Sequence, residues 1–345
     1  MRQIKVLVVE DSLVFRELLV RNLSLDPAIE VVAAARDPFE ARDAIVEHKP
    51  DVMTLDIELP RMNGIDFLRK LMPQYPMPVV VISSLSDKVF DALNAGAVDF
   101  VAKPAVSDRS QLEAFIRNEL PIKIKIASIA RIGTIKKKTV PELASTKISV
   151  GKSSKDIIVA IGASTGGTEA IATVIKEFGT DIPGVVIVQH MPPGFTAMYA
   201  NRLNDQCRVH VKEAKTGDQV VPGQVLIAPG GDAHMQLVRV NGVYQVVCKK
   251  GPKVNGHCPS VDVLFDSVAE VAGNRALGII LTGMGGDGAK GMLAMRKAGA
   301  RTIGQDESTC VVYGMPKVAY ELGAVEYQEK LTDIAKKTYS ILSKM

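Results

Sequence analysis

Two hydrophobic patterns alternate along most of this chain. Short unbroken apolar runs are followed by stretches in which apolar residues recur every three or four positions. The first pattern reads as a buried strand and the second as an amphipathic helix. Near the start, "KVLVVE" leads to "SLVFRELLVRNLS", "PFEARDAIVEHK" leads to "DVMTLD", and "PVVVIS", "DKVFDALNAG" and "AVDFVAK" follow. Parallel strands need a crossover element between them, so the alternation predicts a doubly wound, parallel α/β sheet. The rhythm fades over 126–152, where "RIGTIKKKTVPELASTKISVGKSS" is rich in Lys, Ser and Thr. It returns with "DIIVAIG", "GVVIVQH", "QVLIAP", "ALGIILTG" and "ARTIG". "MQLVRVNGVYQVV" differs, because Asn241-Gly242 between two alternating runs signals a β-hairpin. The pattern therefore divides the chain into an α/β domain over 1–125, a linker over 126–152, and a second, mostly parallel α/β domain over 153–345 with an antiparallel hairpin at one edge.

Composition changes this picture little. A chain of 345 residues, 47% hydrophobic, can bury two cores. The formal charge of +4 is local: residues 1–125 carry −3, residues 126–155 carry +6, and the rest carries +1. A basic linker without a recognition-helix pattern does not indicate nucleic-acid binding. The four cysteines form no C-x-x-C pair, which argues for reduced thiols in the cytoplasm rather than a zinc knuckle or disulfides. The acidic pair in "MRQIKVLVVEDS" is wrong for a secretory signal, and no apolar run approaches the ~20 residues of a membrane helix. No membrane insertion is expected.

In the first domain, polar groups stand at the ends of the strand runs: Glu10-Asp11, Asp56, Ser83-Ser84 and Lys103. The carboxyl ends of an open α/β sheet converge on one crevice, so these residues should be neighbours. Three carboxylates there call for a hard divalent ion such as Mg²⁺, and a lysine with a hydroxyl can hold phosphoryl oxygens. The set, with Lys103 followed by Pro104, resembles the receiver domain of two-component response regulators, a flavodoxin-like fold. The resemblance implies that Asp56 accepts a phosphoryl group from a histidine kinase. It also implies Mg²⁺ at Glu10, Asp11 and Asp56, a switch formed by Ser83 and Lys103, and a cis Lys103–Pro104 bond. Glu10 stands where an aspartate is commoner.

In the second domain, Gly162-Ala163-Ser164-Thr165-Gly166 fits G-x-S-x-G between a strand and a helix, the setting of a nucleophile turn. Serine alone is a weak nucleophile and needs a base with an orienting acid. His190 ends the next strand run, and Asp287 follows "ALGIILTGMGG", so all three reach one sheet rim. A rival reading is open. Gly283–Gly288 also matches G-x-G-x-x-G, and Asp306 lies 18 residues beyond, where a ribose-binding acid stands in dinucleotide sites. Against it, Asp287 would face a pyrophosphate with its own negative charge. A third class is a phosphorylation-controlled docking module without catalysis.

The stretches "GASTGGTEA", "VVIVQHMPPGFT", "LIAPGGDAHM", "PSVDVLF", "ILTGMGGDGAKGM" and "CVVYGMPKVA" resemble the catalytic domain of the CheB family of chemotaxis protein-glutamate methylesterases. The resemblance implies a cytoplasmic, phosphorylation-activated serine esterase that needs no cofactor for the ester chemistry. Ser164 would be nucleophile, His190 base and Asp287 orienter, with the Met284 N–H in the oxyanion hole. Its substrates would be glutamate γ-methyl esters on chemoreceptors, and many family members also deamidate receptor glutamines. Thr168 and Cys258 depart from the family pattern, where proline and arginine are common. His234 is expected near the cleft, whereas His48, His210 and His257 are expected to be surface or structural residues.

Overall fold

A computed structural model describes residues 2–84, 87–104, 112–113, 115–132 and 156–345. The chain forms two compact units, Met1–Gly133 and Thr134–Met345. The linker expected over 126–152 starts within a helix that runs to Ser128, and from 133 onward it lies outside the described residues.

The first unit contains β1 (Ile4–Val9), β2 (Ile29–Ala35), β3 (Val52–Asp56), β4 (Val79–Ser83) and β5 (Asp99–Ala102). Between and after them come α1 (Leu13–Leu23), α2 (Pro38–His48), α3 (Gly64–Leu71), α4 (Lys88–Asn94) and α5 (Leu120–Ser128). The five strands are parallel in the order β2-β1-β3-β4-β5. β3 and β4 are buried throughout, which explains their unbroken apolar runs. Helix starts follow their caps. Ser12 accepts from the Phe15 N–H to begin α1, and Asp37 accepts from Phe39 and Glu40 ahead of Pro38 to begin α2. The strand order reverses between β1 and β3, so Glu10 and Asp56 flank the switch-point crevice.

The second unit holds β6 (Ile158–Ala163), β7 (Gly184–Gln189), β8 (His210–Glu213), β9 (Gln224–Ile227), β10 (Ala233–Val240), β11 (Val243–Lys250), β12 (Ala276–Ile280), β13 (Arg301–Gln305) and β14 (Tyr327–Glu329). Its helices are α6 (Gly167–Lys176), α7 (Phe195–Gln206), α8 (Val261–Ala272), α9 (Ala289–Lys297), α10 (Met315–Glu321) and α11 (Leu331–Leu342). Seven strands form a parallel sheet in the order β14-β13-β12-β6-β7-β9-β8. β10 and β11 pair antiparallel through Asn241 and Gly242, both in the left-handed region. That hairpin is a separate two-stranded sheet rather than an edge of the parallel one. Its apolar face (Met235, Leu237, Tyr244, Val246) joins the core formed with Val261, Leu264, Phe265 and Val268 of α8. The strand order reverses between β12 and β6, and the chain beyond these two strands carries Asp287 and Ser164.

Candidate active site and receiver pocket

Ser164 follows the last residue of β6, where the chain reverses into α6. Its N–H donates to the Thr282 carbonyl at 3.0 Å, and its carbonyl accepts from the Gly167 N–H at 2.7 Å and from Gln189 Nε2 at 3.0 Å. The reversal requires Gly166 at φ 75°, where a Cβ would also fall 2.7 Å from the Val311 side chain. These contacts fix the backbone and leave the hydroxyl uncommitted: Ser164 Oγ has no hydrogen bond among the described residues.

His190 stands next to this turn because β7 pairs in register with β6. Ala163 faces Gln189, and the His190 N–H donates to the Ala163 carbonyl at 3.2 Å. The ring's Nε2 lies 2.8 Å from Asp287 Oδ2. Asp287 is buried and accepts further hydrogen bonds from Ser260 Oγ (2.7 Å), the Val261 N–H (2.7 Å), Asn255 Nδ2 (2.9 Å) and the Asp262 N–H (3.3 Å). Burial pushes the Asp287 carboxyl upward, but hydrogen bonds from His190, Asn255 and Ser260 outweigh it and hold the carboxyl well below the usual range. An ionised Asp287 can only accept, so Nε2 carries the proton, and in the neutral ring Nδ1 presents its lone pair. Nδ1 is buried and unpartnered. This is the reverse of the serine-protease arrangement, in which the aspartate holds Nδ1 and the serine meets Nε2.

The loop after β12 closes the other side of the serine. A Cβ at Gly283 would lie 2.7 Å from Ser164 Cβ, so only glycine allows this approach. The next residue, Met284, is 40% exposed, and its N–H donates to no group among the described residues. Gly288 starts α9, and Asp287 immediately before it is engaged by five donors. A pyrophosphate at this helix start would meet that buried negative charge, which disfavours the dinucleotide reading. His234 has both ring nitrogens engaged, accepting from the Ser260 N–H at 3.1 Å and donating to the Pro252 carbonyl at 2.8 Å. It thereby supports the Ser260 that holds Asp287.

In the first unit, the Lys103 ammonium lies 2.7 Å from Asp56 Oδ2 and 2.9 Å from Glu10 Oε2. Ser83 is drawn to the same rim, its carbonyl accepting from the Lys103 N–H at 2.7 Å. Oxygens of Glu10, Asp11 and Asp56 lie within 4.8 Å of one another. Burial, with the nearby Asp56 charge, pushes the Glu10 carboxyl up to about 7 against the lowering effect of Lys103. Burial would lower the Lys103 ammonium, but its hydrogen bonds to Asp56 and Glu10 raise it. The donor set fits a hard divalent cation: three oxygen acids share one crevice, and an ammonium group already lies among them. The cis peptide among the described residues is Cys258–Pro259. Lys103–Pro104 is trans, against the form the resemblance implies, yet the ammonium still reaches both carboxylates.

A family model for the response regulator receiver domain matches residues 6–117, and one for CheB methylesterase matches residues 159–338. The chain belongs to the CheB methylesterase family. A protein-glutamate methylesterase/protein-glutamine glutaminase 2 of Syntrophomonas wolfei is 63% identical over 347 residues, covering 100% of this chain and 99% of its own. A protein-glutamate methylesterase/protein-glutamine glutaminase of Syntrophotalea carbinolica is 54% identical, covering 99% of this chain and 98% of its own. The crystal structure of the Thermotoga maritima CheB methylesterase catalytic domain is 41% identical with a TM-score of 0.52, covering 54% of this chain and 98% of that one. Ser164, His190, Met284 and Asp287 lie inside the CheB-matched segment, and Glu10, Asp11, Asp56, Ser83 and Lys103 lie inside the receiver-matched one. No helix among the described residues is long and apolar enough to cross a membrane.

Sequence reasoning missed Gln189, Asn255, Ser260 and Asp262. Gln189, Ser260 and Asp262 lie inside quoted motifs but carry no signal of their own. Asn255 did carry one: Asn255-Gly256 is a second hairpin dipeptide, of the same kind as Asn241-Gly242.

Proposed function

We propose that this chain hydrolyses glutamate γ-methyl esters on methyl-accepting chemotaxis receptors in the cytoplasm, and that phosphorylation of Asp56 raises the rate. The observation that carries the ester chemistry is the state of His190. Its Nε2 meets the Asp287 carboxylate and its buried Nδ1 has no partner, at the end of the strand that pairs in register with the one leading to the uncommitted Ser164.

On substrate binding, Ser164 Oγ attacks the ester carbonyl carbon while its proton passes to Nδ1. The carbonyl oxygen becomes an oxyanion that the Met284 N–H can receive. Asp287 stabilises the imidazolium that has formed. The intermediate collapses by breaking the C–OCH₃ bond, and His190 returns the proton so that methanol leaves. Water, deprotonated by Nδ1, then attacks the acyl-serine; the C–Oγ bond breaks, His190 returns the proton to Ser164 Oγ, and the glutamate side chain leaves as a free carboxyl group. With a glutamine amide the same steps release ammonia, giving deamidation.

In the receiver unit, Glu10, Asp11 and Asp56 would hold Mg²⁺, which when bound neutralises negative charge at the phosphorylation site. Asp56 would accept the phosphoryl group from a histidine kinase. Lys103 would pair with the phosphoryl oxygens in place of its present contacts, and Ser83 would turn toward them. The unphosphorylated receiver would restrict access of receptor segments to Ser164.

Methanol release from methylated receptor fragments tests this reading, measured with and without a small phosphodonor and Mg²⁺. Release should be stimulated by the phosphodonor and abolished by Ser164→Ala. No release from the unaltered, phosphorylated chain, or full release from Ser164→Ala, would overturn it.

A further inference from the structure

We infer that the turn Val254–His257 positions the His190–Asp287 pair, with Asn255 fixing the carboxylate and His257 fixing the imidazole. The inference rests on the ester chemistry proposed above and adds two positioning residues to it.

The turn is built by local chemistry. The Val254 N–H donates to the His257 carbonyl and the His257 N–H donates to the Val254 carbonyl, both at 2.9 Å. The two residues between them, Asn255 at φ 52° and Gly256 at φ 82°, are both in the left-handed region. This is the two-residue type I′ geometry that Asn-Gly favours. Nothing lies within 4 Å of a Cβ built at Gly256, so the turn demands glycine for conformation rather than for space.

From this rigid base, two side chains reach the pair at different points. Asn255 Nδ2 donates to Asp287 Oδ1 at 2.9 Å and to Asp262 Oδ2 at 2.7 Å, so one amide stands between two carboxylates. It screens their repulsion and fixes the Asp287 plane from the oxygen that His190 does not use. The second residue, His257, lays its ring over that of His190, with centroids 3.7 Å apart and an interplanar angle of 8°. With Nε2 pinned to Asp287 and one face covered, His190 cannot tip out of plane. Its Nδ1 lone pair is thereby held in a single direction. The two side chains restrain different motions from one turn, and neither needs to touch substrate.

The test uses the full chain with four variants: Asn255→Gly, Asn255→Asp, His257→Ala and His257→Phe. Asn255→Gly keeps a residue that accepts positive φ, so it deletes the amide without straining the turn. His257→Phe keeps a flat ring face and removes the imidazole nitrogens. The readouts are kcat and KM for methanol release, each normalised to the folded fraction from thermal melts.

Asn255→Gly should lower kcat about tenfold to a hundredfold with KM unchanged, the range for losing a hydrogen bond to a charged group. Asn255→Asp should be lower still, because it places a third carboxylate between Asp262 and Asp287. His257→Ala should lower kcat about twofold to tenfold, and His257→Phe should restore most of that loss. Wild-type kcat per folded molecule in Asn255→Gly and His257→Ala would overturn the inference while leaving the esterase reading intact. A change confined to KM, or His257→Phe no better than His257→Ala, would likewise remove the positioning role. An inactive wild-type chain would instead remove the esterase reading, and this inference with it.

Discussion

The two units bury acidic groups at equivalent places, just past the carboxyl ends of parallel strands, yet set them in opposite electrostatic states. Asp287 is surrounded by fixed neutral donors and the His190 N–H, and its carboxyl is held far below the ordinary range. Glu10 shares one lysine ammonium with Asp56, and burial pushes its carboxyl up to about 7. Burial alone therefore does not decide the charge of an acid; the number of donors aimed at it does. The first arrangement suits a residue that must remain an anion through every turnover. The second suits the role proposed for this pocket, whose charge balance would change on binding a cation and a phosphoryl group.

The strongest way to break the catalytic side of this contrast is Asp287→Asn. The amide would turn an NH₂ toward donors that now meet a carboxylate oxygen, and it could not stabilise the imidazolium. Turnover should fall by about 10⁴, the loss seen when a serine protease's aspartate is replaced in the same way. The chain should still fold, since the side-chain volume is kept. Circular dichroism and methanol release measured on one preparation would check both halves. Near-normal turnover would remove Asp287 from the catalytic set.

On the receiver side, the contrast sharpens into a question of control. Even the part of the expected linker beyond residue 132, 20 residues to 152, can span about 60 Å when extended, so it permits inhibitory docking without enforcing it. A fragment beginning near Lys152 should outpace the unphosphorylated full chain on receptor substrate by about tenfold or more. Such a factor corresponds to ~1.4 kcal/mol of bias between closed and open populations. Phosphodonor with Mg²⁺ should bring the full chain toward the fragment's rate, and Asp56→Asn should not respond. Equal rates for the fragment and the unphosphorylated chain would remove the inhibitory role and leave the chemistry at Ser164 untouched.

Much of this organisation was legible in the chain itself, for identifiable reasons. Central strands buried on both faces must be continuous apolar runs, so β3, β4, β6 and β7 stood out. Residues at their ends are brought together by topology, which is why Ser164, His190 and Asp287 could be grouped across 123 positions. Short edge strands were harder. β8 spans four residues and β14 three, each too short for a period to show. The donors around Asp287 were also hidden. Their contribution depends on where a side chain or an N–H points, and hydrophobic pattern carries no such information. His257 was read as a surface or structural residue because its meaning lies in one ring contact, set by a turn whose Asn-Gly signal was not weighed.

The smallest expected effect tests the Glu10 half of the comparison directly. In metal-free buffer, the folded protein binds a proton at Glu10 up to about pH 7, whereas an unfolded chain releases it near 4.5. Between those values the native state holds more protons than the unfolded state, so stability must fall as pH rises. The contribution is fully present below about 4.5 and is lost on passing through 7. This is the opposite sign to Asp287, whose depressed carboxyl contributes above the ordinary aspartate range and loses that contribution as pH falls. Lys103 remains an ammonium throughout the window, its own value being raised by the same carboxylates. Hydrogen exchange of amides in β1 and β3 of the full chain, corrected for intrinsic rates and measured with EDTA, should show protection falling across this range. Glu10→Gln keeps the shape and removes the titration, so its protection should be nearly flat. Saturating Mg²⁺ should reverse the wild-type trend, because the ion prefers the ionised carboxylate and its binding then stabilises the fold. A flat wild-type profile, or one that Glu10→Gln leaves unchanged, would show that Lys103 already neutralises the pocket and that Glu10 does not differ from Asp287 in kind.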